Sequence, residues 1–94
     1  MVIDLHFPDA GSLKAKRREL SSLKAQLRTR LGVAVAETAH HDLWQRATLT
    51  GALVDRTAAH LADVVDEVER FVLSRCPDGA SVERIIASVE DLRA

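Results

Sequence analysis

Residues 33–54 read VAVAETAHHDLWQRATLTGALV, and this stretch decides the fold because two strand-like segments flank one polar bend. The segments 33–38 and 46–54 are rich in small, β-branched and apolar residues, which predicts an antiparallel hairpin. The residues between them, 39–45, form a broad bend. Gly51 in the second segment predicts a bulge in that strand.

One strand and one helix precede this hairpin. Residues 2–7 alternate apolar and polar side chains, the period-two pattern of a half-buried strand. Ser12 then suits the cap of a helix, because its hydroxyl can accept a hydrogen bond from a free amide of the first turn. Leucines recur at helical spacing as far as Gly32, a residue typical of helix ends. The pattern predicts one long amphipathic helix.

A second helix and an ambiguous segment follow the hairpin. Asp55 or Thr57 can cap a helix whose apolar stripe ends before Cys76. The apolar residues of 82–92 fit helical spacing, whereas their β-branched content suits an edge strand. The order strand-helix-strand-strand-helix favours a fourth strand, which completes a split βαβ arrangement. We therefore predict an α+β fold, a ferredoxin-like βαββαβ sandwich with a four-stranded antiparallel sheet and two helices on one face.

Length and composition predict one domain over residues 1–94. The chain is 47% hydrophobic and 29% charged, which suits one soluble core. No apolar stretch approaches the roughly 20 residues of a membrane span, and Cys76 has no second cysteine to pair with. We expect a cytoplasmic protein with no membrane partner. The net charge of −1 hides a basic half, residues 1–46, and an acidic half, residues 47–94.

The predicted first helix carries a row of cations that no carboxylate interrupts. They fall within an arc of about 120° beside the leucine stripe, and we call them the basic flank: Lys14, Arg17, Arg18, Lys24 and Arg28. Lys16 projects instead into the apolar arc. Such cations can bind the phosphates of a nucleic acid. Alternatively, they pair with the acidic residues of the second helix, and Lys16 extends its ammonium into water.

The bend holds the only tryptophan of the chain, Trp44. If its ring is exposed, it can stack on an RNA base or a partner side chain, with Arg46 donating hydrogen bonds beside it. The alternative is that the ring covers one end of the core or lies in a homo-oligomer interface. Only two phenylalanines accompany this tryptophan and the chain has no tyrosine, so the usual stacking platform of an RNA-recognition sheet is missing.

The polar residues of the bend also suggest two other functions, metal binding and catalysis. At most His40 and Asp42 converge on one side of an extended segment, with His6 of the first strand as a third candidate, and two ligands do not make a zinc site. An acid–base group of His41, Asp42 and Glu37 is the one catalytic alternative. We expect no metal, no cofactor and no enzyme activity, since no nucleophile stands beside a base and no phosphate-binding loop is present.

Three motifs together resemble the bacterial YlxP-like family, domain of unknown function 503. They are Ser-Leu-Lys-Ala-Lys-Arg at 12–17, Ala36-Glu37, and Asp-Leu-Trp-Gln-Arg-Ala at 42–47. The resemblance covers nearly the whole chain and implies a ferredoxin-like fold whose final segment is a strand. It implies no known activity. Genes of this family often lie beside translation-initiation and ribosome-maturation genes, which implies an association with RNA or the ribosome.

These observations predict a non-enzymatic binding module whose partner is RNA or a ribosome-associated protein. The residues predicted to contact that partner are Lys14, Lys16, Arg17, Arg18, Trp44 and Arg46. The alternative is a homo-oligomeric protein-interaction domain that uses an open sheet edge or the Trp44 bend.

Overall fold

Four strands and two long helices follow the predicted order in the computed structural model, which describes residues 1–94. The elements are β1 Val2–His6, α1 Leu13–Leu31, β2 Ala34–Ala39, β3 Arg46–Ala52, α2 Ala58–Arg75, β4 Ala80–Glu83 and α3 Val89–Arg93. The strands form one antiparallel sheet in the order β2-β3-β1-β4. The predicted ferredoxin-like βαββαβ sandwich is confirmed.

The helices begin and end where their capping residues predict. Ser12 Oγ accepts a hydrogen bond from the Ala15 N–H at 3.1 Å, and Gly32 ends α1 in the left-handed conformation with φ 69°. Thr57, one of the two predicted caps, accepts from the His60 N–H at the start of α2. Cys76 is the C-terminal cap of that helix.

The hydrophobic core lies on one face of the sheet. Alternation along each strand turns one set of side chains toward α1 and α2, while residues such as Val2, Ala36 and Thr50 face solvent. The core cluster comprises Ile3, Leu5, Leu20, Leu23, Leu27, Val33, Val35, Ala47, Leu49, Val68, Val72 and Cys76. The sheet therefore has one covered face and one open face.

The predicted bulge at Gly51 is wrong. The register shift of the hairpin lies in β2, between Glu37 and Ala39, and Gly51 pairs regularly with Val35. A Cβ at Gly51 would lie 2.8 Å from Cγ1 of Val33. Glycine stands there because the Val33 side chain leaves no room for a Cβ.

We expect Gly51→Ala to lower the free energy of unfolding by about 1–3 kcal/mol, because the added methyl group overpacks the core against Val33. Gly11→Ala is the matched control, since nothing lies within 4 Å of a Cβ at Gly11. Urea denaturation followed by circular dichroism measures both variants. Equal stability of the two variants would contradict the assigned role of Gly51.

The last segment is a strand, as predicted, but a short one. Val82 pairs with Ile3 and Glu83 with Val2, so the ladder ends where β1 begins. The helical spacing of the sequence appears only beyond residue 88, in α3, which Ser88 starts through a capping box with Asp91. None of the α3 residues is buried. The β3 strand is also shorter than predicted and ends at Ala52.

Candidate functional site

The bend between β2 and β3 packs against the start of α1. The Phe7 N–H donates to the Gln45 carbonyl at 2.7 Å, and Nε2 of Gln45 donates to the Pro8 carbonyl at 3.1 Å. Nζ of Lys16 donates to the carbonyl of His40 at 2.5 Å. The bend, residues 40–45, and the first turns of α1 therefore lie at one end of the molecule. Two groups of predicted site residues that are distant in sequence meet there.

Lys16 is not the surface cation that the sequence predicted. It is only 1% exposed, and its ammonium lies 3.2 Å from Oε2 of Glu37. The ammonium donates to the His40 carbonyl, and its contact with Oε2 of Glu37, which has no hydrogen-bond partner, is ionic. Lys16 therefore holds the bend in place and cannot contact a ligand at the surface.

Trp44 is exposed, so its predicted alternative of covering the core within the chain is wrong. The residue is 53% exposed and follows a turn in which the Leu43 N–H donates to the His40 carbonyl at 3.2 Å. His40 itself has φ 64°, a conformation uncommon outside glycine. Residues 42–46 surround a shallow cavity of about 480 Å³ beside the indole ring. The bend therefore presents an exposed aromatic ring on a loop that hydrogen bonds to Phe7, Pro8 and Lys16 hold in place.

The members of the basic flank face different ways: Arg28 reaches the β2 edge of the sheet, whereas Arg18 lines a cavity with Arg75 and Cys76 at the end of α2. Nη2 of Arg28 donates to the Val35 carbonyl of β2 at 2.8 Å. Farther round α1, Nη2 of Arg75 in α2 donates to Ser22 Oγ at 3.3 Å. By helical spacing, Arg17 lies on the Arg28 side of α1, which is turned away from α2.

Ion pairing between the basic flank and α2, the alternative that the sequence left open, is contradicted. Arg84, which follows β4, occupies the acidic side of α2 through Asp66 at 2.6 Å and Glu69 at 2.5 Å. No ion pair of the structure includes a member of the basic flank. Lys14, Arg17 and Arg18 are exposed, as is Arg46 at the start of β3. Arg46 has the outward parity of Thr48 and Thr50, so it lies on the open face of the sheet, whereas Lys14, Arg17 and Arg18 lie on the helix that covers the other face. These cations and Trp44 share one end of the protein, and we call this set the α1–bend surface: Lys14, Arg17, Arg18, Trp44 and Arg46.

The His41 ring and the Glu37 carboxylate, two members of the acid–base group considered for catalysis, do not contact each other. The His41 ring lies 3.2 Å from the backbone carbonyl of Glu37, and the Glu37 carboxylate faces Lys16. Cys76 is 7% exposed, and this burial raises the pKa of its thiol, which disfavours the thiolate. No three His, Cys, Asp or Glu residues stand close enough to hold a metal ion.

A second titratable pair lies at the other end of β3, away from the α1–bend surface. The His60 ring contacts the Asp55 carboxylate at the start of α2. This hydrogen bond lowers the pKa of Asp55 and raises the pKa of His60. Both shifts favour the charged pair at mildly acidic pH, and its position at a helix cap indicates a structural role.

The fold and this surface define a small ferredoxin-like domain with a basic helix edge and a tethered tryptophan bend. The chain belongs to the family described as "Protein of unknown function (DUF503)", which it matches over residues 1–84. It is 30% identical over 82 residues to a protein of Bacillus subtilis (strain 168) described as "Uncharacterized protein YlxP". The alignment covers 87% of this chain and 85% of that protein. The predicted family resemblance is confirmed. Separately, none of the helices is both long and apolar enough to cross a membrane.

Proposed function

We propose that this protein is a non-catalytic RNA-binding module that uses the α1–bend surface. The observation that carries the proposal is the combination of unpaired cations on α1 with an exposed tryptophan on the bend that Lys16 holds beside them. Cations of this kind neutralise phosphates and release counterions, and an exposed indole ring offers a stacking surface for one base.

The distribution of charge supports a local binding site. The net charge is only −1, so the protein as a whole does not attract a polyanion. However, no acidic residue lies in the first turn of α1, and Arg84 occupies the acidic side of α2. A phosphate backbone approaching the start of α1 therefore meets cations that form no ion pair, although Asp9 and Glu19 line the same cavity as Arg18.

The single exposed aromatic ring of this surface limits sequence recognition. Trp44 can stack on one base, whereas sequence-reading RNA modules use two or three aromatic rings. Most of the affinity must then come from phosphate contacts, and the protein discriminates weakly between sequences. A folded RNA assembly such as the ribosome, toward which the family resemblance also points, is the partner we propose within this class.

A salt titration tests the proposal. A fluorescein-labelled single-stranded RNA of about 12 nucleotides covers the surface of one small module, and its anisotropy reports binding. We expect affinity to fall steeply between about 50 and about 200 mM KCl, with quenching of Trp44 fluorescence at saturation. Absence of binding at the lower salt concentration, or an affinity independent of salt, would overturn the proposal and leave a protein partner as the alternative.

A further inference from the structure

The two edges of the sheet differ in what their backbone groups contact. At the β2 edge, the Val33 N–H donates to the Leu27 carbonyl at 3.0 Å. The Val35 carbonyl accepts from Arg28 at 2.8 Å, and the Glu37 carbonyl lies 3.2 Å from Nε2 of His41. Side chains and the end of α1 thus occupy this edge, which hinders the addition of another strand.

The β4 edge is open. The His6 N–H donates to the Gly79 carbonyl. In the same register, the backbone N–H and C=O groups of Ser81 and Glu83 point toward β1. Because backbone groups of an antiparallel strand alternate in direction, the N–H and C=O groups of Ala80 and Val82 point away from the sheet. No side chain or loop hydrogen bonds with them. They are free to pair with another strand.

Apolar side chains continue this edge without a partner. Three apolar residues follow β4 within ten positions of the sequence and are largely exposed. Ile85 is 91% exposed, Val89 59% and Leu92 78%. Ile85 and Leu92 line a cavity of about 240 Å³ with Leu53, and Val89 lines a second one with Val54, so this apolar segment runs from the end of β4 toward the connection between β3 and α2. An exposed apolar patch that adjoins an open strand edge is typical of a protein interface.

We propose that two copies of this chain pair through β4 in antiparallel orientation to form one continuous sheet. The twofold axis passes through Val82, so the free groups of Val82 pair with those of Val82 in the second copy, and the free groups of Ala80 face Arg84 of that copy, the residue that follows β4. This register places Ser81 opposite Glu83 of the second copy and so avoids a contact between the two Glu83 carboxylates. It also brings Ile85 to Gly79, where no side chain obstructs it.

The same geometry explains why assembly ends at two copies. An interface in which the same patch is used by both subunits is closed, and the β2 edges at the two ends of the joined sheet are occupied by Arg28, His41 and the end of α1. A strand edge of four residues buries too little area for a stable dimer, which needs about 800 Å² per subunit. Ile85, which follows β4 closely, adds apolar area, whereas Val89 and Leu92 lie toward the connection between β3 and α2, so we expect a weak dimer.

Sedimentation equilibrium between about 1 and about 500 µM tests the proposal, because the fraction of dimer must rise with protein concentration. We expect the wild type to dimerise and Ala80→Pro to be monomeric, because proline removes the outward N–H and is tolerated at the first residue of an edge strand. Ile85→Asp should also be monomeric, and its exposed position ensures that it folds. Leu43→Asp, at an exposed apolar residue of the bend, is the control that should still dimerise.

Hydrogen exchange distinguishes strand pairing from apolar docking alone. In the proposed dimer the amides of Ala80 and Val82 exchange at least tenfold more slowly than in the Ile85→Asp variant. A wild type that stays monomeric to the highest concentration overturns the proposal. So does a dimer in which these two amides exchange as fast as in the variant, or one that neither substitution weakens.

Discussion

Replacement of Lys16 by methionine is expected to lower the free energy of unfolding by about 3–5 kcal/mol, the usual effect of removing one partner of a buried ion pair. Methionine preserves the apolar stem of the side chain, so the packing of α1 is largely retained. The loss falls on two groups that the ammonium now contacts, one through a hydrogen bond and the other through an ion pair. These are the His40 carbonyl at 2.5 Å and the Glu37 carboxylate at 3.2 Å.

The magnitude depends on how deeply the pair is buried. The Lys16 side chain is 1% exposed and that of Glu37 is 19% exposed, so water solvates the remaining carboxylate poorly. Leaving the Glu37 carboxylate without its partner in such a position lowers the free energy of unfolding by more than an exposed ion pair contributes. We therefore expect Lys16→Met/Glu37→Leu, which removes both charges, to be more stable than Lys16→Met alone.

Thermal unfolding followed by circular dichroism measures these variants. For a domain of this size, 3–5 kcal/mol corresponds to a decrease in Tm of more than about 10 °C. Lys14→Met is the control, because Lys14 is exposed on the same helix and its replacement should change stability by less than about 0.5 kcal/mol. A Lys16→Met protein within about 1 kcal/mol of the wild type would show that the pair does not stabilise the fold.

The role of Lys16 could have been predicted from two observations that the sequence contains. Lys16 stands in the apolar arc of α1, and Glu37 shares the inward parity of Val33 and Val35 in β2. Each charged residue is therefore out of pattern, and opposite charges at two buried positions indicate a pair. The sequence does not show that the bend folds back toward α1, and that contact decides where the ammonium lies.

Local signals predicted the fold well, because caps and periodicity act within a few residues. Ser12, Gly32 and Thr57 begin or end helices as predicted. The errors concern contacts between distant segments. Gly51 is fixed by Val33 across the hairpin, and β4 ends where β1 no longer provides a partner. The exposure of Trp44 likewise depends on tertiary contacts of the bend that no local pattern reports.

Removal of three cations from the α1–bend surface is expected to weaken RNA binding strongly. In Lys14→Ala/Arg17→Ala/Arg18→Ala, each lost phosphate contact should reduce the slope of log K against log salt by about 0.7, so the slope falls by about 2. Since these contacts contribute little at about 1 M salt, the same loss corresponds to roughly 100-fold weaker binding at about 0.1 M. The three side chains are exposed and make no ion pair, so stability should not change.

A control with the same change in charge separates a local site from general electrostatic attraction. Arg56→Ala/Arg70→Ala/Arg93→Ala also removes three exposed cations without breaking an ion pair, and all three lie outside the α1–bend surface. If the surface is the binding site, this control keeps nearly the full salt slope, because its cations contact no phosphate. Equal losses in both triple variants would instead indicate that RNA responds only to the total charge, and the α1–bend surface would no longer be the site.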